Sequence, residues 1–275
     1  MSSDDRDPTS VTASDGPGSR SSSVSTSTPD AAAATESPMK KKKHLPVWQE
    51  TLLLLGIALV LAVVIKALFV QAFYIPSQSM EPGLVKNDRI LVQKVSYWFG
   101  GGPERGDVVV FKDPGGWLST SDSIGPTNGV ASLLSKVGLY PSGGHLVKRV
   151  IGVEGDVITC CDKSGRILVN GQPLNEKQYA RPGGAGCFGP MVTSCNSDWE
   201  VGPIPAGQVF VMGDNRNNSA DSSVHLCTTD ETDCTKNPYV DVDDVVGKVM
   251  VVVWPSDHFR FVHRPDTFAD VPDAA

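Results

Sequence analysis

Residues 51–72 read TLLLLGIALVLAVVIKALFVQA, an apolar run broken by a single charge at Lys66. As a helix rising about 1.5 Å per residue it extends about 33 Å, against roughly 30 Å for the hydrocarbon core of a bilayer. The run predicts a transmembrane helix over 46–74 and assigns the rest of the chain to the two sides of a membrane. Trp48 lies near one end and Phe73 and Tyr74 at the other, as an interfacial aromatic belt requires. Lys66 stands about two turns from Tyr74, near enough for its ammonium to snorkel to the headgroups. Lys40, Lys41, Lys42 and Lys43 precede the span, whereas Lys86 and Arg89 beyond it are mixed with Glu81 and Asp88. The positive-inside rule then puts the N-terminus in the cytoplasm and residues 75–275 outside. A cleaved signal peptide is the other reading, with Val70-Gln71-Ala72 as its small-residue exit, but the run is too long and its flanks are wrong.

Residues 1–45 are rich in Ser, Thr, Asp, Pro and Ala. They cannot bury enough apolar surface to offset their ordering entropy, so a disordered cytoplasmic tail is expected. The net charge of −7 and the lack of a basic stripe past the span argue against a nucleic-acid partner. All six cysteines, Cys160, Cys161, Cys187, Cys195, Cys227 and Cys234, follow the apolar run. None has C-x-x-C spacing, so neither a metal site nor a cofactor is expected. An even count outside a membrane favours disulfides. Cys187 with Cys195 and Cys227 with Cys234 could close short loops, and buried free thiols are the other reading.

The outer part reads as mainly β. Runs rich in Val and Ile at 89–95, 107–111, 145–151, 157–160, 167–170, 209–212 and 245–254 are mostly bounded by turn residues. The expected architecture is one transmembrane helix followed by an antiparallel β-sheet domain at 75–275. Its core covers about 75–113, 145–160 and 201–262. Two stretches look inserted, 114–144 and 161–200, the second holding a hairpin near Asn170-Gly171 and forming part of a smaller cap region.

Ser79 follows the span by only a few residues. A serine hydroxyl needs a base to attack a carbonyl. No G-x-S-x-G elbow is present, and the histidines are poorly placed, His225 alone staying open. Lys148 is the candidate. Only roughly 0.04% of an unperturbed lysine is neutral at pH 7, and a working base needs a pKa near 7–8. Reaching it takes roughly 4 kcal/mol of differential stabilisation, which desolvation can supply. Strand alternation puts Lys148 on the face of Leu146 and Val150 and turns Arg149 the other way. The polar block from Gly213 to Ser222 follows a strand. A hydroxyl such as Ser219 could orient the amine without the charge of a carboxylate, while Asp214 and Asp221 pair with Arg149 and Arg216.

Four blocks carry a resemblance. They are Ser77-Gln78-Ser79-Met80-Glu81-Pro82, Arg105-Gly106-Asp107-Val108-Val109-Val110-Phe111, Lys148-Arg149-Val150-Ile151-Gly152 through Gly155-Asp156, and the Gly213–Ser222 block. In that order, after a membrane span, they resemble the bacterial type I signal peptidases, the Ser/Lys leader peptidases of the S26 type. The resemblance implies that Ser79 attacks the scissile carbonyl and Lys148 takes and later returns the proton. It implies that the Ser77 hydroxyl and the Ser79 N–H hold the oxyanion, that Ser219 orients Lys148, and that Arg149, Asp214 and Asp221 support them. Ile75, Pro76, Met80, Leu84, Leu146 and Val147 would line pockets for small side chains before the cut. The substrate would add as a strand beside those of Ile75 and Leu146. Two positions depart from the pattern. Gly83 stands in Pro82-Gly83-Leu84 where Thr is common, and Ser223 stands where Arg is common.

The implied function is a single-pass serine endopeptidase of the bacterial cell membrane that removes signal peptides from exported preproteins. Its partners would be those signal peptides, membrane lipid and the secretion translocon. Tyr97-Trp98-Phe99 offers either core packing or a surface dipping into headgroups. A catalytically inactive anchored β-domain that binds exported chains is the alternative function. A self-cleaving Ser/Lys regulator is disfavoured by the outside location.

Overall fold

The computed structural model describes residues 46–97, 100–118, 129, 144–183, 199–227 and 237–274. Helix α1 covers Val47–Phe69, has no polar face between Leu52 and Ile65, and buries none of the residues Val47–Ile65 in the rest of the chain. A helix without a polar face fits a lipid environment. The expected helix end is corrected. Residues 70–74 form strand β1, Val70–Tyr74, directly after Phe69. Val70, Phe73 and Tyr74 favour extended backbone, and β2, Arg89–Gln93, supplies a paired edge. Backbone pairing thus takes over where the apolar run still reads as helix.

The main sheet also contains β3, Val108–Lys112; β4, His145–Gly152; β9, Gln208–Met212; β10, Tyr239–Asp241; and β11, Val245–Trp254. Its strands run in the order β1-β2-β11-β3-β4-β9-β10, with β12, Arg260–Phe261, folded back on β11. Every pairing is antiparallel. The sheet curls enough to bring its edge strand β1 to β4, where the rings of Phe73 and His145 lie 5.4 Å apart. β9 pairs with β4 only from Arg149 onward. The outer edges of β1 and of residues 145–148 therefore carry no partner strand among the described residues.

A second sheet has the order β7-β6-β5-β8. It takes β5, Ile158–Cys160, from the expected core, and β6, Ile167–Val169, β7, Gln172–Pro173, and β8, Trp199–Val201, from the 161–200 stretch. The β6–β7 hairpin turns on Asn170 at φ 50° and Gly171 at φ 79°, the paired positive angles of a tight two-residue loop. Ile158, Ile167, Leu174, Phe210 and Met212 form the core between the two sheets. Phe268 and Val271 bury into the same core, so the tail beyond 262 is part of the domain.

Cys160 and Cys161 are bonded to each other, a pairing of neighbours that the loop-closing reading did not include. Cys227 is also in a disulfide. Cys187, Cys195 and Cys234, the rest of the two proposed pairs, lie outside the described residues, as do most of the 114–144 stretch and Trp98 and Phe99. Tyr97 packs against the cluster around Val109 and Phe111 and donates to Asp107 at 3.3 Å. The side chain of Lys66 is also outside the described set.

Candidate active site

Three segments meet at Ser79. The first is the loop 75–88 between β1 and β2. It folds on itself through Glu81 N–H to Gln78 O at 3.1 Å and Leu84 N–H to Met80 O at 2.8 Å. The second is β4, which carries Lys148 opposite Val109 of β3. The third is the Gly213–Ser222 block after β9, tied to the first by Asn215 N–H to Ser79 O at 2.9 Å and Asn215 Nδ2 to Gln78 O at 3.1 Å.

The Lys148 amine donates to Ser79 Oγ at 2.8 Å, with Lys148 only 4% and Ser79 only 7% exposed. Burial pushes the Lys148 ammonium down to about 8, against the opposing pull of Asp221 and Asp214. Removing water disfavours the charged amine more than those carboxylates favour it. The Ser77 hydroxyl stands 3.2 Å from Ser79 Oγ. A hydroxyl, a desolvated amine and a second hydroxyl in this arrangement can carry out proton abstraction with attack on a carbonyl.

Ser219 is buried against this centre and donates to Asp221 Oδ2 at 2.6 Å. The close approach depends on Gly213. A Cβ there would stand 2.2 Å from Ser219 Oγ and 2.5 Å from Ser79 O. Arg149 grips Asp214 with two hydrogen bonds, 2.8 and 2.6 Å, donates to Gly106 O at 2.8 Å, and stacks 4.5 Å over Tyr179. The pairing of Asp221 with Arg216 is corrected. Arg216 meets Glu176 at 2.6 Å and donates to Gly213 O at 2.9 Å. Asp221 instead accepts from Gly213 N–H, the Ser219 hydroxyl, and the Ser223 N–H and hydroxyl at 3.1 and 2.7 Å. Ser223, which departs from the arginine common in the pattern, therefore supplies two neutral hydrogen bonds. Gly83 likewise lies against the Arg149–Asp214 pair, 2.9 Å from an added Cβ to Asp214 Oδ2.

The proposed pocket residues divide. Ile75, Met80 and Leu84 are buried in one cluster with Val147 packed against it. Leu146 belongs to a different cluster, with Val109 and Phe111, and Pro76 is exposed. The backbone of Ile75 is already engaged, its N–H on Asp88 O and its C=O on Asn87 N–H. Strand alternation leaves the outward groups at that edge to Tyr74 and Pro76.

Sequence reasoning missed the contribution of residues 176–182. Ala180 bridges to Pro82 and Arg181 to Asn215, and Arg181 reaches Glu81 at 3.1 Å. Glu176 and Arg216 are both fully buried, 40 positions apart, and no local pattern marks them as partners. The only sequence signal was a charged residue beside Leu174 and Tyr179.

A family model described as signal peptidase, peptidase S26, matches residues 48–254. Among curated relatives, a probable signal peptidase I of Mycobacterium leprae is 39% identical over 253 residues, covering 84% of this chain and 83% of the relative. A signal peptidase I of Mycobacterium tuberculosis is 39% identical over 246 residues, covering 84% and 80%. Signal peptidase I U of Bacillus subtilis is 30% identical over 230 residues, covering 81% and 95%. This chain belongs to the S26 signal peptidase family.

Proposed function

We propose that this protein is a membrane-anchored serine endopeptidase that cuts signal peptides from exported preproteins with Ser79 and Lys148. The observation that carries the reading is the 2.8 Å contact between the Ser79 hydroxyl and a buried Lys148 amine. The neutral amine accepts the Ser79 proton as Oγ attacks the scissile carbonyl. The oxyanion is held by the Ser77 hydroxyl and the Ser79 N–H. The protonated lysine then delivers its proton to the leaving amine, and water, deprotonated by the same lysine, releases the acyl group. Ser219, Asp221, Asp214 and Arg149 hold the base in place.

The substrate enters extended between the outer edges of β1 and of residues 146–148, which have no partner strand among the described residues and suit strand addition. Ile75, Met80 and Leu84, with Val147 packed against them, form the pockets for the small side chains of an A-x-A-like cleavage site. Helix α1 holds the site at the outer face of the bacterial cell membrane, with the N-terminus in the cytoplasm. Signal peptides, lipid and the secretion translocon are its partners.

The test is incubation of the purified full-length protein in detergent with a signal-bearing precursor, followed by sequencing of the new N-terminus. Cleavage after a small residue is expected. An intact precursor in the presence of folded enzyme would overturn the reading.

A further inference from the structure

The loop 75–88 carries Ser77, Ser79, Met80 and Leu84, and it is held from two sides. One side is the Ala180–Arg181 and Asn215 contacts already described. The other is the segment after β11, past residue 254, where the family match ends. A short turn at Ser256–His258 and strand β12 fold back on β11, with Val252 opposite Arg260. This fold-back brings the Arg260 guanidinium onto the carbonyl oxygen of Gly83. The same side chain donates to His258 O at 3.2 Å and stands 3.9 Å from Asp88 Oδ2. His258 Nδ1 contacts Asp88 Oδ1 at 2.7 Å. Asp88 is completely buried and also accepts from Val85 N–H at 2.8 Å.

The Gly83 peptide is therefore held by the Arg260 guanidinium and lies against the Arg149–Asp214 pair. Its carbonyl accepts from Arg260, and its Cα faces the Asp214 carboxylate that Arg149 grips. Met80 and Leu84 are joined across this peptide by the Leu84 N–H to Met80 O bond. Asp88 O in turn receives the Ile75 N–H. The three buried side chains of the pocket thus hang on a stretch of backbone pinned at Gly83 and Asp88. A loop of this length keeps one shape only while such contacts outweigh its conformational entropy. The Arg fork can hold two acceptors in fixed directions, which a lysine cannot do.

We propose that Arg260, supported by His258, is a positioning residue that sets the floor of the pocket for the residue before the cut and so its selectivity for small side chains. The proposal rests on the peptidase reading given above. Loosening the Gly83 peptide lets Met80 and Leu84 retreat and admits a bulkier side chain.

The experiment compares two precursors that differ only in Ala or Val before the cleavage site. Wild-type enzyme, Arg260→Ala and Arg260→Lys are assayed for kcat and KM on each, with Tm measured in parallel. One methylene more or less in an apolar pocket changes discrimination by about tenfold or more. The ratio of kcat/KM for Ala over Val is expected to fall about tenfold in Arg260→Ala and about threefold in Arg260→Lys. A role confined to stability would lower Tm and leave the ratio alone. An unchanged ratio in Arg260→Ala overturns the proposal. If that variant does not fold, an unchanged ratio in Arg260→Lys does so. Failure of the wild type to cut either precursor would instead strike the peptidase reading itself.

Discussion

Lys148 and Ser79 are 69 residues apart in the chain and 2.8 Å apart at their reacting atoms. The amine reaches the hydroxyl because β4 and the loop after β1 face one another across the curled sheet. It is buried there, within electrostatic reach of Asp214 and Asp221 of the Gly213–Ser222 block. On the proposed mechanism the two act as one unit and lose function as one unit.

Ser79→Ala and Lys148→Ala should each reduce precursor cleavage by about a thousandfold or more, and the double variant should be no worse than either single one. Rates measured in single turnover with purified variants, with circular dichroism as the folding control, check this. Additive losses would mean that the two side chains act in separate steps.

On the proposed mechanism the pH dependence follows from a base that must be uncharged. With the Lys148 ammonium at about 8, kcat/KM should rise with pH through that value and level off above it. Asp221 and Asp214 both act to raise it. Asp221→Asn removes one of these charges, so its residual activity should show a midpoint below that of wild type. A pH–rate profile for each enzyme decides the sign.

Stability responds in the matching direction. The folded lysine titrates near 8 and the unfolded one near 10.5, so between those values the unfolded chain binds more protons. The cost of burying Lys148 is therefore full below about pH 8 and fades as pH rises toward 10.5. Lys148→Met should raise Tm at pH 7 by removing this cost, and the gain should shrink across that window. Thermal melts at pH 7, 9 and 10.5 test it.

Gly213→Ala places a methyl group 2.2 Å from Ser219 Oγ and 2.5 Å from Ser79 O. Something must shift, at about 1–3 kcal/mol, and the groups that shift are those of the active centre. Cleavage should fall at least about a hundredfold while much of the stability remains. Denaturant midpoints and cleavage rates on the same preparation check the two parts.

Glu176→Gln removes the carboxylate that the fully buried Arg216 meets at 2.6 Å, and stability should fall by about 3 kcal/mol. Because Arg216 also donates to Gly213 O, activity should fall with stability. Replacing both residues with apolar ones of similar size should restore most of the stability and little of the activity.

Much of this was legible in the chain. The strand expected at 245–254 forms over the same residues, and those at 89–95 and 145–151 are within two residues of their observed ends. Long Val-rich runs announce themselves because burial on a sheet face needs their side chains. β1 was hidden because its residues continue an apolar run, and only the distant partner β2 decides between helix and strand. β8, β10 and β12 have three residues or fewer and, unlike the equally short β5 and β6, contain no run of Val and Ile to mark them. At the site, Ser79 and Lys148 stood out through their neighbours. Glu176, Arg181 and Arg260 did not, because a lone charged residue looks the same whether it meets water or a partner 100 positions away. The Asp221 environment was misread for the opposite reason. An arginine stood nearby in sequence, yet the structure satisfies that carboxylate with serine and backbone donors.

Phe69 ends helix α1 and Val70 begins β1 with no residue between them. On the proposed reading α1 is a membrane anchor, and one joined to its working part in this way has no swivel. The fold would then set the height and tilt of the cleft above the lipid, like a cutting blade bolted at one distance from a table. Inserting a few flexible residues at this joint would leave the blade sharp and spoil its aim, with soluble peptides still cut and membrane-embedded precursors missed.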